Sequence, residues 1–168
     1  MAKSADPAFL RSVRLFKELS ESDLAALAFL FRDRCVKKGE VLFKEGDSGQ
    51  ELYLVREGAV LVSKKVTGRV EQVLARIGVG EIFGEMSLFD EAPRSATVQA
   101  ETDSILLSLD RESLLRLIET RPGAAAIFLY RLVHVFVGRL RATGDLVAEV
   151  TRWGLEATGM DLESRLPG

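Results

Sequence analysis

The stretch Lys38-Gly-Glu-Val-Leu-Phe-Lys-Glu-Gly-Asp-Ser-Gly-Gln-Glu-Leu-Tyr-Leu-Val-Arg-Glu-Gly-Ala-Val-Leu-Val62 decides the fold. Short β-rich runs, Val41-Leu-Phe, Glu51-Leu-Tyr-Leu-Val and Ala59-Val-Leu-Val, alternate here with glycines. Glycine takes the left-handed backbone that tight turns need, so each one ends a strand rather than extending it. The same rhythm continues through Val73-Leu-Ala-Arg-Ile, Ala96-Thr-Val and Ser104-Ile-Leu-Leu. Eight of the 14 glycines fall between Gly39 and Gly84. Strands this short and this often interrupted predict a sandwich, jelly roll or small barrel from Lys38 to about Leu109.

Outward from this zone the apolar period becomes helical. On the N-terminal side Phe9, Leu10, Val13 and Leu15/Phe16 form one stripe, and Leu24, Leu27 and Leu30/Phe31 another. Ser20 followed by Asp23 resembles a capping box at the start of the second piece. On the C-terminal side Asp110 is predicted to cap a helix over Arg111–Glu119. Arg121-Pro122-Gly123 breaks the chain, and a long helix over roughly Ala124–Trp153 follows. Its Leu129, Val133, Phe136, Leu140, Thr143, Val147 and Val150 step by four and three, a heptad seam. That seam is too apolar to sit wholly in water. Part is expected to cover the β region and the rest to pair with a second chain, giving a homodimer. The domain reading is an extension over residues 1–14, a domain over 15–153 and a loosely held tail over 154–168.

Composition narrows the function. The chain has 168 residues, 47% apolar and 29% charged, enough to bury a core without disulfides or metals. A net charge of −2 gives no global pull toward nucleic acid or anionic lipid. One cysteine, Cys35, excludes an internal disulfide and fits a reducing compartment. No signal-peptide core is visible, and no unbroken apolar run reaches the roughly 18 residues of a membrane span. The richest stretch, Ala124–Val137, is interrupted by Arg131 and His134. A cytoplasmic protein with no membrane span is expected.

The chemistry concentrates in Phe83-Gly-Glu-Met-Ser-Leu-Phe-Asp-Glu-Ala-Pro-Arg-Ser-Ala-Thr97. Gly84 permits close backbone approach to a ligand. Glu85 to Phe89 suits one helical turn, whose free N–H groups favour an anion. Pro93 fixes the approach to Arg94, whose planar fork suits phosphate oxygens. Glu85 accepts only, which suits sugar hydroxyls. One loop thus offers a phosphate clamp and a sugar clamp.

This segment resembles the phosphate-binding cassette of cyclic nucleotide-binding domains, as found in the bacterial catabolite activator protein, protein kinase A regulatory subunits and cyclic nucleotide-gated channels. Lys38-Gly-Glu-Val-Leu-Phe-Lys-Glu-Gly-Asp, Glu51-Leu-Tyr-Leu-Val-Arg-Glu-Gly, Gly78-Val-Gly-Glu-Ile-Phe-Gly-Glu and Leu15-Phe-Lys-Glu-Leu-Ser look like the family's other segments, so roughly Leu15–Val150 is covered. The resemblance implies a β-roll (a double-stranded β-helix) with N-terminal helices and a C-terminal lid and dimerisation helix. It implies that Glu85 bonds the ribose 2′-hydroxyl and Arg94 the cyclic phosphate. Backbone groups of Gly84, Met86 and Ser87, the Ser95 hydroxyl and the Ala96 N–H would complete the cradle, with Val73 and Phe83 lining the pocket. Thr143 would touch the base. Serine at 95, as in bacterial cyclic AMP receptors, leans toward cyclic AMP over cyclic GMP. Such domains bind rather than catalyse, and here would signal through a protein effector.

Plainer readings stand beside these. Arg94 and Glu85 alone could form a surface ion pair, Arg131, Arg139 and Arg141 a solvated face, and Thr143 a polar seam residue that sets register. The Gly78/Gly80/Gly84 run lacks dinucleotide-loop spacing and a following Lys-Ser/Thr. Cys35 and His134 are too few for a metal, haem or iron–sulfur site. Only a short tail follows Trp153, without room for a helix-turn-helix, so no DNA-binding domain is expected. The alternatives to a receptor are a scaffold domain with a vestigial pocket, or a truncated catabolite-activator-type regulator.

Overall fold

The computed structural model describes residues 5–67 and 70–158. Eight strands form two four-stranded antiparallel sheets. One holds β1 (Arg32–Val36), β8 (Ser104–Asp110), β3 (Glu51–Glu57) and β6 (Ile82–Phe83), in that order. The other holds β2 (Val41–Phe43), β7 (Thr97–Ala100), β4 (Val60–Thr67) and β5 (Val70–Ile77). This is the β-roll that the family resemblance implies. Gly39, Gly46, Gly58 and Gly80 lie between successive strands with φ between 81° and 91°, where an L side chain is disfavoured.

Val36, Tyr53, Val55, Val60, Ile77, Phe83, Val98, Ala100 and Leu106 make one continuous core. It draws on both sheets, as expected when inward residues alternate along each strand. Leu52 faces Leu109 across β3 and β8, and Leu54 faces Leu107. These four point to the opposite face and are equally buried, so this sheet is covered on both sides. Burying each leucine is worth about 1.5–3 kcal/mol.

The N-terminal zone folds as α1 (Pro7–Ser12), a 3₁₀ turn (Arg14–Phe16) and α2 (Glu21–Ala28). Ser20 caps α2 as expected: its hydroxyl accepts from the Asp23 N–H at 3.2 Å and donates to the Asp23 carboxylate at 2.7 Å. The Phe16 ring meets Phe31 edge-on at 5.9 Å and stacks on Phe128 at 5.8 Å. After β8, Asp110 caps α3 (Arg111–Thr120) by accepting from the Ser113 N–H at 2.7 Å.

One residue, Arg121, separates α3 from α4 (Pro122–Thr158). The helix starts before Ala124 because Pro122 suits a first helical position, where its missing N–H has no partner to lose. It also continues beyond Trp153, so residues 154–158 are helical rather than a loose tail. Leu155, Glu156 and Ala157 are good helix formers, and Arg152 pairs with Glu156 one turn on at 4.0 Å, which together outweigh Gly154. Residues 159–168 of the expected tail lie outside the described residues. The chain divides into two compact units, Met1–Phe128 and Leu129–Gly168.

Two strands escape the sequence pattern. β1 reads Arg-Asp-Arg-Cys-Val, too charged to look like a strand. It lies at a sheet edge, paired to β8 from Arg32↔Ser108 to Val36↔Ser104. Its charges find partners: Arg32 with Asp110 at 3.6 Å, Asp33 with Arg56 at 3.0 Å and Arg34 with the Tyr53 hydroxyl at 3.1 Å. β6 has only two residues, too few for any period to show. One helix bears on the membrane expectation. Among the described residues one helix, Pro122–Ala157, is long and apolar enough by length and composition to cross a bilayer. The expectation rested on unbroken apolar runs, whereas an averaged window tolerates Arg131 and His134.

Candidate functional site

The loop from β6 to β7 carries the expected residues, and local structure explains how. Gly84 has φ +71°. That left-handed step turns the chain out of β6 and into a 3₁₀ turn, Glu85–Leu88, where a helical turn was expected. Glu85 and Ser87 point inward and are buried, while Met86 is exposed. Further on, the backbone of Arg94 is tied to the β2–β3 turn: its N–H donates to the Asp47 carbonyl at 2.8 Å, and its carbonyl accepts from Gly46 at 2.9 Å.

Arg94 is 5% exposed. Its Nη1 donates to the Glu51 carbonyl at 3.0 Å, the Gly84 carbonyl at 3.1 Å and the Ser87 hydroxyl at 3.0 Å. The guanidinium lies over the Phe43 ring, 4.1 Å from its centroid, and 5.9 Å from that of Tyr53. Gly49 closes against it, and a Cβ there would fall 2.5 Å from Nη2 and 2.6 Å from Cζ. Nε is buried and has no hydrogen-bond partner among the described residues.

Electrostatics follow from that nest. Burial pulls the Arg94 guanidinium below its ordinary basicity. Tyr53 and the carboxylates of Glu51, Glu85 and Asp47 pull the other way. An arginine still stays charged at neutral pH. A buried cation whose hydrogen-bond partners are carbonyls and a hydroxyl, with one N–H unmet, lacks the paired anion that burial normally demands. Beside it, Tyr53 donates to the Glu51 carboxylate at 2.6 Å and accepts from Arg34. Burial and that bond to Glu51 push the tyrosine up to about 12.

The structure therefore brings Gly84, Glu85, Ser87 and Arg94 together. Ala96 follows as a buried residue just before β7, and Ser95 is exposed. Arg94 does not present an open fork, because Nη1 is committed to three protein acceptors and Nε is enclosed. The Ser87 N–H points to the Gly84 carbonyl at 3.3 Å. The other expected site residues take different places in the fold. Phe83 is a core residue: paired with Tyr53 across β6 and β3, its ring stacks on that tyrosine at 5.2 Å and is 2% exposed. Val73 lies in the other sheet, on β5, and is 56% exposed. Thr143 belongs to the second unit, exposed, its hydroxyl donating to the Arg139 carbonyl at 2.9 Å. Phe43, Gly49, Glu51 and Tyr53 escape the sequence reading as site residues. They stand in stretches that signal only turns and strands. Among the described residues no group of three or more His, Cys, Asp or Glu could hold a metal.

Comparison with known proteins places the chain among relatives. Residues 33–121 match the family described as the cyclic nucleotide-binding domain. The cyclic AMP receptor protein of Thermus thermophilus is 40% identical over 127 residues, 76% of this chain and 57% of that protein. The crystal structure of a cyclic nucleotide-binding domain from Methylobacillus flagellatus superposes with a TM-score of 0.78 at 26% identity, covering 89% of this chain and 88% of that one. The N-terminal domain of a transcriptional regulator from Streptomyces coelicolor gives 0.69 at 36% identity, covering 83% and 94%. The chain spans less than three fifths of the length of the first curated relatives it matches, 57% and 59%.

Proposed function

Because this chain belongs to the cyclic nucleotide-binding domain family, we propose that it is a receptor for a cyclic nucleoside monophosphate, with cyclic AMP the preferred ligand. The observation that carries the reading is the buried, incompletely paired Arg94 beside a buried Glu85 on one short turn. Arg94 takes the phosphate, Glu85 the ribose hydroxyl, and Ser95, Ala96 and backbone groups of the turn the remaining oxygens. Preference for cyclic AMP rests on Ser95 and on the Thermus relative's name. The protein binds and signals without chemistry of its own, in a reducing cytoplasm, with Cys35 free on β1.

Calorimetry should show one cyclic mononucleotide per chain, tighter for cyclic AMP than for cyclic GMP. Glu85→Ala should weaken binding and erode the preference over the 2′-deoxy nucleotide. Absence of heat with both nucleotides at millimolar concentration, on nucleotide-free protein, overturns the reading.

The signal leaves through α4. Its Val133, Leu140, Val147 and Val150 are 55–74% exposed at heptad spacing, which suits a second copy of this chain. Gly138 and Gly144 each weaken the helix interior by about 1 kcal/mol, which leaves it able to rearrange. Light scattering should give twice the chain mass, and Phe136→Glu should give the monomer. Hydrogen exchange over Ala124–Val150 should change on saturation with nucleotide, since a ligand shifts an equilibrium only by contacting two states differently. A wild-type monomer removes the dimer, and unchanged exchange removes the switch.

A further inference from the structure

Arg111 stands where local electrostatics disfavour it. It is the first residue of α3, where free N–H groups concentrate partial positive charge and a cation is unfavourable. Its side chain leaves the helix instead. Nε donates to the Leu88 carbonyl at 3.0 Å, and Nη2 to the carbonyls of Ser87 at 3.2 Å and Asp90 at 2.9 Å. These carbonyls close the cassette turn and begin the loop after it, where a short turn lacks partners of its own. Nη1 also meets Glu91 at 3.3 Å, but that carboxylate is 85% exposed and adds little. The Arg111 backbone N–H donates to the Gln50 carbonyl at 3.0 Å.

Two arginines thus hold the same two segments. Arg94 holds Glu51 by its carbonyl and Ser87 by its hydroxyl. Arg111 holds the preceding residue, Gln50, and the Ser87 carbonyl. Ser87 is the shared link, bound by Arg111 on its backbone and by Arg94 on its side chain.

We propose that Arg111 is a positioning residue for the nucleotide: it clamps the cassette turn to the start of β3, sets the place of Ser87, and through Ser87 orients Arg94. The proposal rests on the receptor reading above. It also gives ligand binding a direct mechanical path into α3, since the residue that senses the cassette is the first residue of that helix. Only Arg121 then separates α3 from α4.

The test is a double-mutant cycle on the full chain, read by calorimetry with cyclic AMP. Arg111→Gln should lower affinity about tenfold while keeping the wild-type circular dichroism. In a Ser87→Ala background, where the link to Arg94 is cut, the same change should cost less than threefold. Arg111→Lys should recover affinity only in part, because one ammonium cannot reproduce a planar fork meeting three carbonyls. A merely structural role predicts equal losses in both backgrounds, and that outcome overturns the proposal. So does Arg111→Gln binding within twofold of wild type. Should the glutamine variant fail to fold, the same cycle with Arg111→Lys decides by the same additivity criterion. A wild-type chain that binds neither cyclic AMP nor cyclic GMP defeats the receptor reading and this proposal with it. A wild type that binds while Arg111→Gln binds equally well defeats this proposal alone.

Discussion

Arg94→Leu should reduce cyclic nucleotide affinity at least tenfold, the largest loss expected of any single substitution in this protein. The cause is the loss of one member of a charged pair that forms in a buried place. The arginine is almost wholly enclosed, so a phosphate that meets it does so largely away from water. Removing one partner of such a pair costs about 2–5 kcal/mol, much of it from leaving the other charge buried and unmatched. Leucine also cannot donate to the carbonyls of Glu51 and Gly84 or to the Ser87 hydroxyl, so the turn loses its central fastening. Calorimetry and a ligand-free denaturation curve, measured together, separate the two effects. An affinity loss with a native-like unfolding transition places Arg94 at the ligand. Wild-type affinity in the leucine variant would remove Arg94 from the site.

Gly84→Ala should impair stability and binding together. The left-handed backbone at φ +71° costs an L residue roughly 1–2 kcal/mol. Space is short as well: a Cβ would lie 2.7 Å from Arg94 Nη1 and 3.1 Å from the Glu51 carbonyl. The first neighbour can swing aside, but the second is backbone of a central strand and cannot. The methyl therefore moves the turn that starts at Glu85 and releases Arg94 from the Gly84 carbonyl. A lower denaturation midpoint with at least tenfold weaker cyclic AMP binding is expected. Unchanged stability would show that position 84 relaxes at no cost, contrary to the close packing seen around it.

Much of this was legible along the chain. Gly39, Gly46, Gly58 and Gly80, which break strands in the sequence, mark real turns, because a left-handed backbone is a local demand that only glycine meets cheaply. The caps at Ser20 and Asp110 are equally local, a hydroxyl or carboxylate satisfying an N–H three residues on. The cassette was readable because Gly84, Glu85, Pro93 and Arg94 lie close in sequence and each has a separate stereochemical reason to be there. β1 was not readable, since its charged residues become a strand only when β8 supplies the hydrogen bonds and Asp110, Arg56 and Tyr53 supply the partners. The start and finish of α4 were displaced because Pro122 and the stretch after Gly154 contribute helix-forming tendencies that an apolar period does not register.

The sequence by itself determined six of the eight strands described, the left-handed turns and the residue types proposed for the phosphate and sugar clamps, because these depend on backbone stereochemistry and on chemistry within a few residues. Only the tertiary structure decided what surrounds Arg94. Phe43, Gly49, Glu51 and Tyr53 come from other strands and turns, and no local rule places a ring 4.1 Å from the guanidinium or a glycine against its edge. It likewise brought the Arg111 side chain to the turn after Gly84, 21 to 24 residues along the chain from the carbonyls it holds. Such contacts arise when the two sheets close on one core. They depend on which strands become neighbours, and that is settled by the packing of the whole domain rather than by any one segment.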